Sequence, residues 1–224
     1  MRAAWALACL CLVTAIPASA QAVNTLDAPR ALLVRVLGPS AAERFQLESI
    51  PADGGHDVFE VSPGPGGTII LRGNTGVSIA SALHHYLKTS AHVYVSWEQA
   101  TLVLPDPLPT PAQAERRTTP HQYRAFFNPC TFSYSAPWWT WAEWQRVIDV
   151  MAMNGINLPL ALVGTEGVWY YTLRDQGFTD AEARQFLSAP SFLSWQWMAN
   201  LEGAGGPLSR AWIEEHLTLG RRIL

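Results

Sequence analysis

The residues best suited to chemistry lie between Asn128 and Asn157. Four tryptophans fall within seven positions, Trp138, Trp139, Trp141 and Trp144. An indole offers a broad apolar face with one N–H donor, a surface on which a sugar ring can lie. Trp141 and Trp144 recur at helical spacing, so packing against a sheet is a sufficient role for both. Trp138 and Trp139 stand before that helix, and one of the two could face a ligand ring. Asn128 and Cys130 come directly after residues 123–127, which read as a strand. The carboxyl end of a strand is where barrels and open parallel sheets keep their sites. The Asn128 amide could bond sugar hydroxyls, or it could shape the turn before Pro129. Both readings stand.

Hydrolysis of a sugar linkage needs two carboxylates, about 5–5.5 Å apart in retaining enzymes and about 6.5–9.5 Å apart in inverting ones. Glu166 is the one acid of the second half in a comparable place, four residues past a predicted strand at 156–162. It could equally be a first-turn glutamate favoured by the helix dipole. The other acids there, Glu143, Asp149, Asp175, Asp180, Glu182, Glu202, Glu214 and Glu215, fall mostly on predicted helices and yield no convincing pair. No metal site is legible. His84 and His85 are adjacent on a helix and so diverge, whereas a metal wants i, i+4 spacing. His56, His92, His121 and His216 are scattered. There is no Gly-x-Ser-x-Gly and no phosphate loop. No cofactor is expected.

The elements that must position these residues follow from periodicity. A short helix is predicted at 30–37, strands at 45–50, 57–62 and 68–71, and a helix from 76 to about 88. Residues 92–97 and 101–104 read as two further strands. The five prolines between 105 and 120 mark a semi-rigid linker. Beyond it, Thr140-Trp-Ala-Glu143 is a capping box, and Asn154-Gly155 ends the helix it starts. Helices follow at 166–176, 179–187 and 192–200, with Ser209 capping a last one. Strand, helix, strand, helix argues for a parallel sheet or barrel.

Composition narrows the setting. Arg2, the apolar run 3–16 and Pro17-Ala-Ser-Ala20 form a secretory signal. Cys9 and Cys11 leave with it, so Cys130 is the lone thiol of an exported chain and no internal disulfide is expected. No Asn-x-Ser/Thr acceptor is present, which favours a bacterial periplasmic or secreted protein. The net charge is −3 and Lys88 is the single lysine, so nucleic acid is not an expected partner. No apolar run past residue 20 is long enough to span a membrane.

Two motif blocks carry a family resemblance. The first is Gly73-Asn-Thr-Gly-Val77 with Leu83-His84 and Tyr86-Leu87. The second runs through Tyr123-Arg124, Asn128, Cys130-Thr131, Ser133-Tyr-Ser135, Trp138-Trp139, Trp141, Trp144, Met151-Ala152 and Asn154-Gly-Ile-Asn-Leu158. It continues with Phe192-Leu193, Trp195, Met198 and Asn200-Leu201. In this order they resemble the α-N-acetylglucosaminidases, glycoside hydrolases that remove terminal α-linked N-acetylglucosamine. The residues give a signal peptide at 1–20, a small N-terminal α/β domain at 21–104 and a Pro-rich linker at 105–121; the resemblance implies at 122–224 the first two or three βα units of an incomplete (β/α)8 barrel, an α/β fold.

It also implies an exo-acting, retaining, two-glutamate enzyme. Asn128, Cys130 and Trp195 would line the terminal-sugar pocket, and both catalytic glutamates would fall beyond residue 224. Glu166 is not their equivalent. Where the family reads Trp-Ser-Gly-Gln-Glu, this chain reads Leu162-Val-Gly-Thr-Glu166. A closed barrel takes about 250 residues, so the chain alone is expected to be inactive. The alternatives are a non-catalytic N-acetylglucosamine-binding module or a subunit completed in trans by a second chain.

Overall fold

A computed structural model describes residues 26–99 and 102–224. The predicted signal segment lies outside the described residues. The first helix, α1 (Asp27–Leu37), turns Leu32, Leu33 and Leu37 inward and is followed by the single turn α2 (Pro39–Ala42). Three strands come next, β1 (Phe45–Ser49), β2 (Val58–Pro63) and β3 (Ile69–Gly73). β1 runs parallel to β3, and β2 antiparallel to it.

Helix α3 (Gly76–Thr89) covers this sheet with Ile79, Leu83, Tyr86 and Leu87 buried. Its approach explains the Gly73-Asn-Thr motif. A Cβ on Gly73 would sit 2.7 Å from the Ile79 amide nitrogen. Asn74 Oδ1 accepts from the Val58 amide at 2.9 Å, and Thr75 Oγ1 caps the helix at the Ser78 amide at 3.0 Å. Tyr86 is fully buried and donates to the Pro109 carbonyl at 2.8 Å; burial pushes its phenol up to about 12.

Two expectations change here. Residues 92–97 form no strand, and neither do the described residues 102–104. Val93 and Val95 do pack on the core while Tyr94 points outward, so the alternation is real, but no neighbouring strand supplies hydrogen bonds. The fourth strand is instead β4 (Glu115–Thr118), inside the predicted linker, antiparallel to β2. The sheet order is β1-β3-β2-β4. Glu-Arg-Arg-Thr does not read as a strand because an edge needs no apolar face. Arg116 reaches Glu60 on β2 at 2.5 Å, and charge along an edge blocks further pairing.

In the second half, β5 (Ala125–Phe126) and β6 (Leu158–Pro159) pair in parallel. The crossover between them holds α4 (Pro129–Ser135) and α5 (Trp141–Met153). The capping box at α5 forms as predicted: the Thr140 amide donates to Glu143 Oε2 at 2.8 Å. Gly155, at φ +76, ends the helix. Helices α6 (Thr165–Asp175), α7 (Asp180–Phe186), α8 (Leu193–Trp197) and α9 (Arg210–Ile223) complete the described chain. Ser209 caps α9, accepting from the Trp212 amide at 3.1 Å. The described residues form no closed barrel; β5, its crossover and β6 make one parallel pair. No helix among the described residues is long and apolar enough to cross a membrane.

Helix α5 joins the halves. Met153 is buried in the core under α3, and Trp144 in an aromatic cluster with Phe132 and Ala136. His84 Nδ1 donates to the Met153 carbonyl at 3.2 Å, and burial pushes its imidazole below the ordinary value. Asp149 is buried and takes both arms of Arg35, Nε at 2.8 Å and Nη2 at 2.6 Å.

Removing that cation strands a desolvated carboxylate. Arg35 is 37% exposed at its side chain, which tempers the effect. Arg35→Ala is expected to cost roughly 1–3 kcal/mol, read as a lower urea midpoint at unchanged slope. An unaltered midpoint would mean the pair does not hold α1 to α5.

Candidate functional site

Asn128 and Cys130 open α4 just past the carboxyl end of β5, and Trp195 lies on α8, the helix that packs against α4. Asn128 is the N-cap of α4; its Oδ1 accepts from the amides of Cys130 at 2.8 Å and Thr131 at 3.4 Å. Pro129 at the first helical position suits this start, since its missing N–H would be unpartnered there anyway. The two readings of Asn128 are thus compatible. Its oxygen is used by the cap, while its amide nitrogen makes no hydrogen bond among the described residues.

Cys130, Ser133 and Tyr134 share one face of α4, at i, i+3 and i+4. That face meets α8. Cys130 Sγ lies 3.7 Å from Met198 Sδ. Ser133 and Ser194, both buried, exchange a hydrogen bond at 2.8 Å, and the Ser194 amide donates to Ser133 Oγ at 2.9 Å. The Tyr134 ring stands 5.7 Å from that of Trp195, tilted by 58°. Trp195 is half-buried and Tyr134 exposed. Tyr134 and Met198 thus join the candidate site. Both stand in the motif blocks that carry the family resemblance, but their spacing does not foretell which helix α4 meets.

The tryptophan run divides only partly as its spacing suggests: Trp144 is buried as expected, but Trp139 from the loop packs with it while Trp141 is only partly buried. Trp144 is buried and Trp139 packs against it, rings 5.3 Å apart. Trp138 is exposed and leans on Trp212 at 5.4 Å. Trp141 carries the Arg222 guanidinium 4.1 Å over its ring.

Several acids of this half do structural work. Glu166 is fully buried, and its Oε1 accepts from His216 Nδ1 at 2.7 Å and from Trp212 Nε1 at 3.2 Å. It ties α6 to α9 beyond the dipole role expected of it, and its Oε2 is buried without a partner. The Thr140 hydroxyl and cap amides hold the Glu143 carboxyl below its ordinary value. Tyr170 and Arg184 do the same to Asp180, and Thr179 to Glu182. A general acid in sugar hydrolysis needs the opposite shift. Among the described residues no group of three or more His, Cys, Asp or Glu could hold a metal ion.

Residues 27–110 match the α-N-acetylglucosaminidase N-terminal domain, and residues 124–224 match the α-N-acetylglucosaminidase TIM-barrel domain. The chain is 39% identical to human α-N-acetylglucosaminidase over 98% of its own length and 30% of that protein's. It is similar to a family 89 glycoside hydrolase from Clostridium perfringens in complex with 2-acetamido-1,2-dideoxynojirmycin. The TM-score is 0.84 at 36% identity, covering 89% of this chain and 23% of that one. The same values hold for that enzyme with two glutamates replaced by glutamine, in complex with its substrate GlcNAc-α-1,4-galactose. The chain thus spans under a third of the length of these relatives.

Asn128→Ala should destabilise the fold by about 1 kcal/mol through loss of the cap, whereas Asn128→Asp should leave stability close to the parent. Urea denaturation of the two variants checks this; equal stability of Asn128→Ala and parent would remove the capping role.

Proposed function

The chain belongs to the α-N-acetylglucosaminidase family, matching its N-terminal portion, and we propose that it holds the terminal N-acetylglucosamine of an α-linked glycan for an exo-acting, retaining hydrolase. One observation carries the reading. Asn128 and Cys130 begin α4 after β5, and α4 packs on α8 through Cys130 on Met198 and Tyr134 on Trp195. In their roles, the Asn128 amide nitrogen donates to a sugar hydroxyl or acetamido oxygen, and the Trp195 indole carries the apolar face of the ring. Cys130 fills the floor beside Met198.

The reaction needs an acid/base glutamate and a nucleophilic glutamate about 5–5.5 Å apart. As the family resemblance implies, we assign both to sequence beyond residue 224; Glu143, Glu166, Asp180, Glu182 and Glu214 are engaged by caps, His216, Tyr170, Thr179 and Arg210. Residues 1–224 alone then bind sugar but hydrolyse nothing.

Tryptophan fluorescence of the purified chain should titrate saturably with N-acetylglucosamine, and Trp195→Ala should abolish the response. No N-acetylglucosamine should be released from an aryl α-N-acetylglucosaminide. Release by this chain would refute the placement of the glutamates, and a flat titration would refute the sugar-holding role.

The same reading puts the protein outside the cytoplasm, in a bacterial periplasm or beyond. Residues 1–20 act as the signal, so protein recovered from the periplasmic fraction should begin at Gln21. Recovery from the cytoplasm with Met1 retained would overturn the assignment.

A further inference from the structure

Helix α8 begins without a cap of its own. Phe192, the residue before it, offers no side-chain acceptor to its first turn, and the opening amides of a helix have no carbonyl behind them. The acceptor comes from 61 positions earlier in the chain. Ser133 Oγ of α4 accepts from the Ser194 amide at 2.9 Å, and its hydroxyl donates to Ser194 Oγ at 2.8 Å. Both serines are buried, so solvent does not compete for either bond. Gln196 is fixed as well. Its Oε1 accepts from the Ser188 amide at 2.7 Å, and its Nε2 donates to the Phe186 carbonyl at 2.8 Å. Trp195 lies between these two pinned residues. Successive helical side chains are turned by about 100° around the axis, so holding 194 and 196 sets the direction of the indole. It points to Tyr134, the neighbour of Ser133, with ring centroids 5.7 Å apart.

We propose that Ser133 is a positioning residue for the sugar platform: by capping α8 from α4 it fixes the angle at which Trp195 meets the terminal ring. The inference rests on the reading that Trp195 carries that ring. Ser133, at 2% exposure, is closed to the sugar and acts through α8. The contacts beside it are softer. Phe132 meets Trp197 with ring centroids 5.3 Å apart, and Cys130 Sγ lies 3.7 Å from Met198 Sδ. Apolar and sulfur contacts tolerate a small slide of one helix on the other; a pair of buried hydrogen bonds, being directional, does not. An indole holds an apolar surface through its face, so a modest rotation of α8 lowers sugar affinity before it unfolds anything.

Calorimetric titration of the chain with N-acetylglucosamine, paired with urea denaturation and near-ultraviolet circular dichroism, tests this. Ser133→Ala should weaken binding about tenfold, the effect of losing one buried hydrogen bond. It should also remove the dichroism that Trp195 contributes, read as the difference between parent and Trp195→Ala. Ser133→Thr keeps the oxygen and should bind within about threefold of the parent. Ser209→Ala strips the cap of α9 instead; it should lower the urea midpoint and leave sugar affinity unaltered. Parent-like affinity or dichroism in Ser133→Ala, or equal weakening in Ser209→Ala, would overturn the positioning role. So would a loss in Ser133→Thr as large as in Ser133→Ala. Should Ser133→Ala not fold, Ser133→Thr decides: parent-like binding supports the role and a tenfold loss overturns it. If the parent binds the sugar and Ser133→Ala binds it equally well, only this inference fails. If the parent binds no N-acetylglucosamine, the terminal-sugar reading falls and takes this one with it.

Discussion

Helix α5 has to bury two faces at once, and the rest of the molecule depends on that. Its C-terminal turn gives Met153 to the core under α3 and accepts His84 at the Met153 carbonyl. Its N-terminal turn gives Trp144 to the aromatic cluster behind α4. A helix with one apolar stripe could serve one neighbour; this one buries Trp144, Val147 and Met151 on one stripe and Asp149 and Met153 on the opposite side. The buried Asp149 makes the arrangement directional. A carboxylate in that place is tolerable only with Arg35 across from it. The position of α4, and with it Asn128 and Cys130, follows from where α5 is held.

Much of this was legible. The capping box at Thr140 and Glu143, the stop at Asn154-Gly155 and the cap at Ser209 depend on residues within a turn of each other, so local spacing is enough to find them. What escaped depends on partners far along the chain. Residues 92–97 show strand-like alternation and do bury Val93 and Val95, yet no strand lies beside them. Alternation records a two-sided environment, and a ladder needs a neighbour as well. β4 hides the other way: its Glu-Arg-Arg-Thr pairs well with β2, but an edge exposed on most of its length leaves no apolar signature.

The site divides along the same line. That Asn128 stands at a strand's carboxyl end could be read from its place after 123–127. That its oxygen caps α4 while its nitrogen has no hydrogen-bond partner among the described residues follows from the three-dimensional path of the turn. Glu166 looked like a first-turn glutamate and is one, but its burial is set by Trp212 and His216, about fifty residues later. Gly167 allows this closeness, since a Cβ there would fall 2.4 Å from a Leu217 side-chain carbon.

The placement of β4 bears on how such a chain can be divided and recombined. The sheet that begins with β1 is finished only by residues 115–118, after the proline-rich stretch, and its core is sealed by Met153 from α5. A crossover or engineered junction at residue 104 would strip an edge from the sheet and a side chain from its core. The two halves are interleaved rather than strung in series. They are therefore inherited, transplanted or lost together, and a hybrid joined after Thr118 would still have to carry a matching α5.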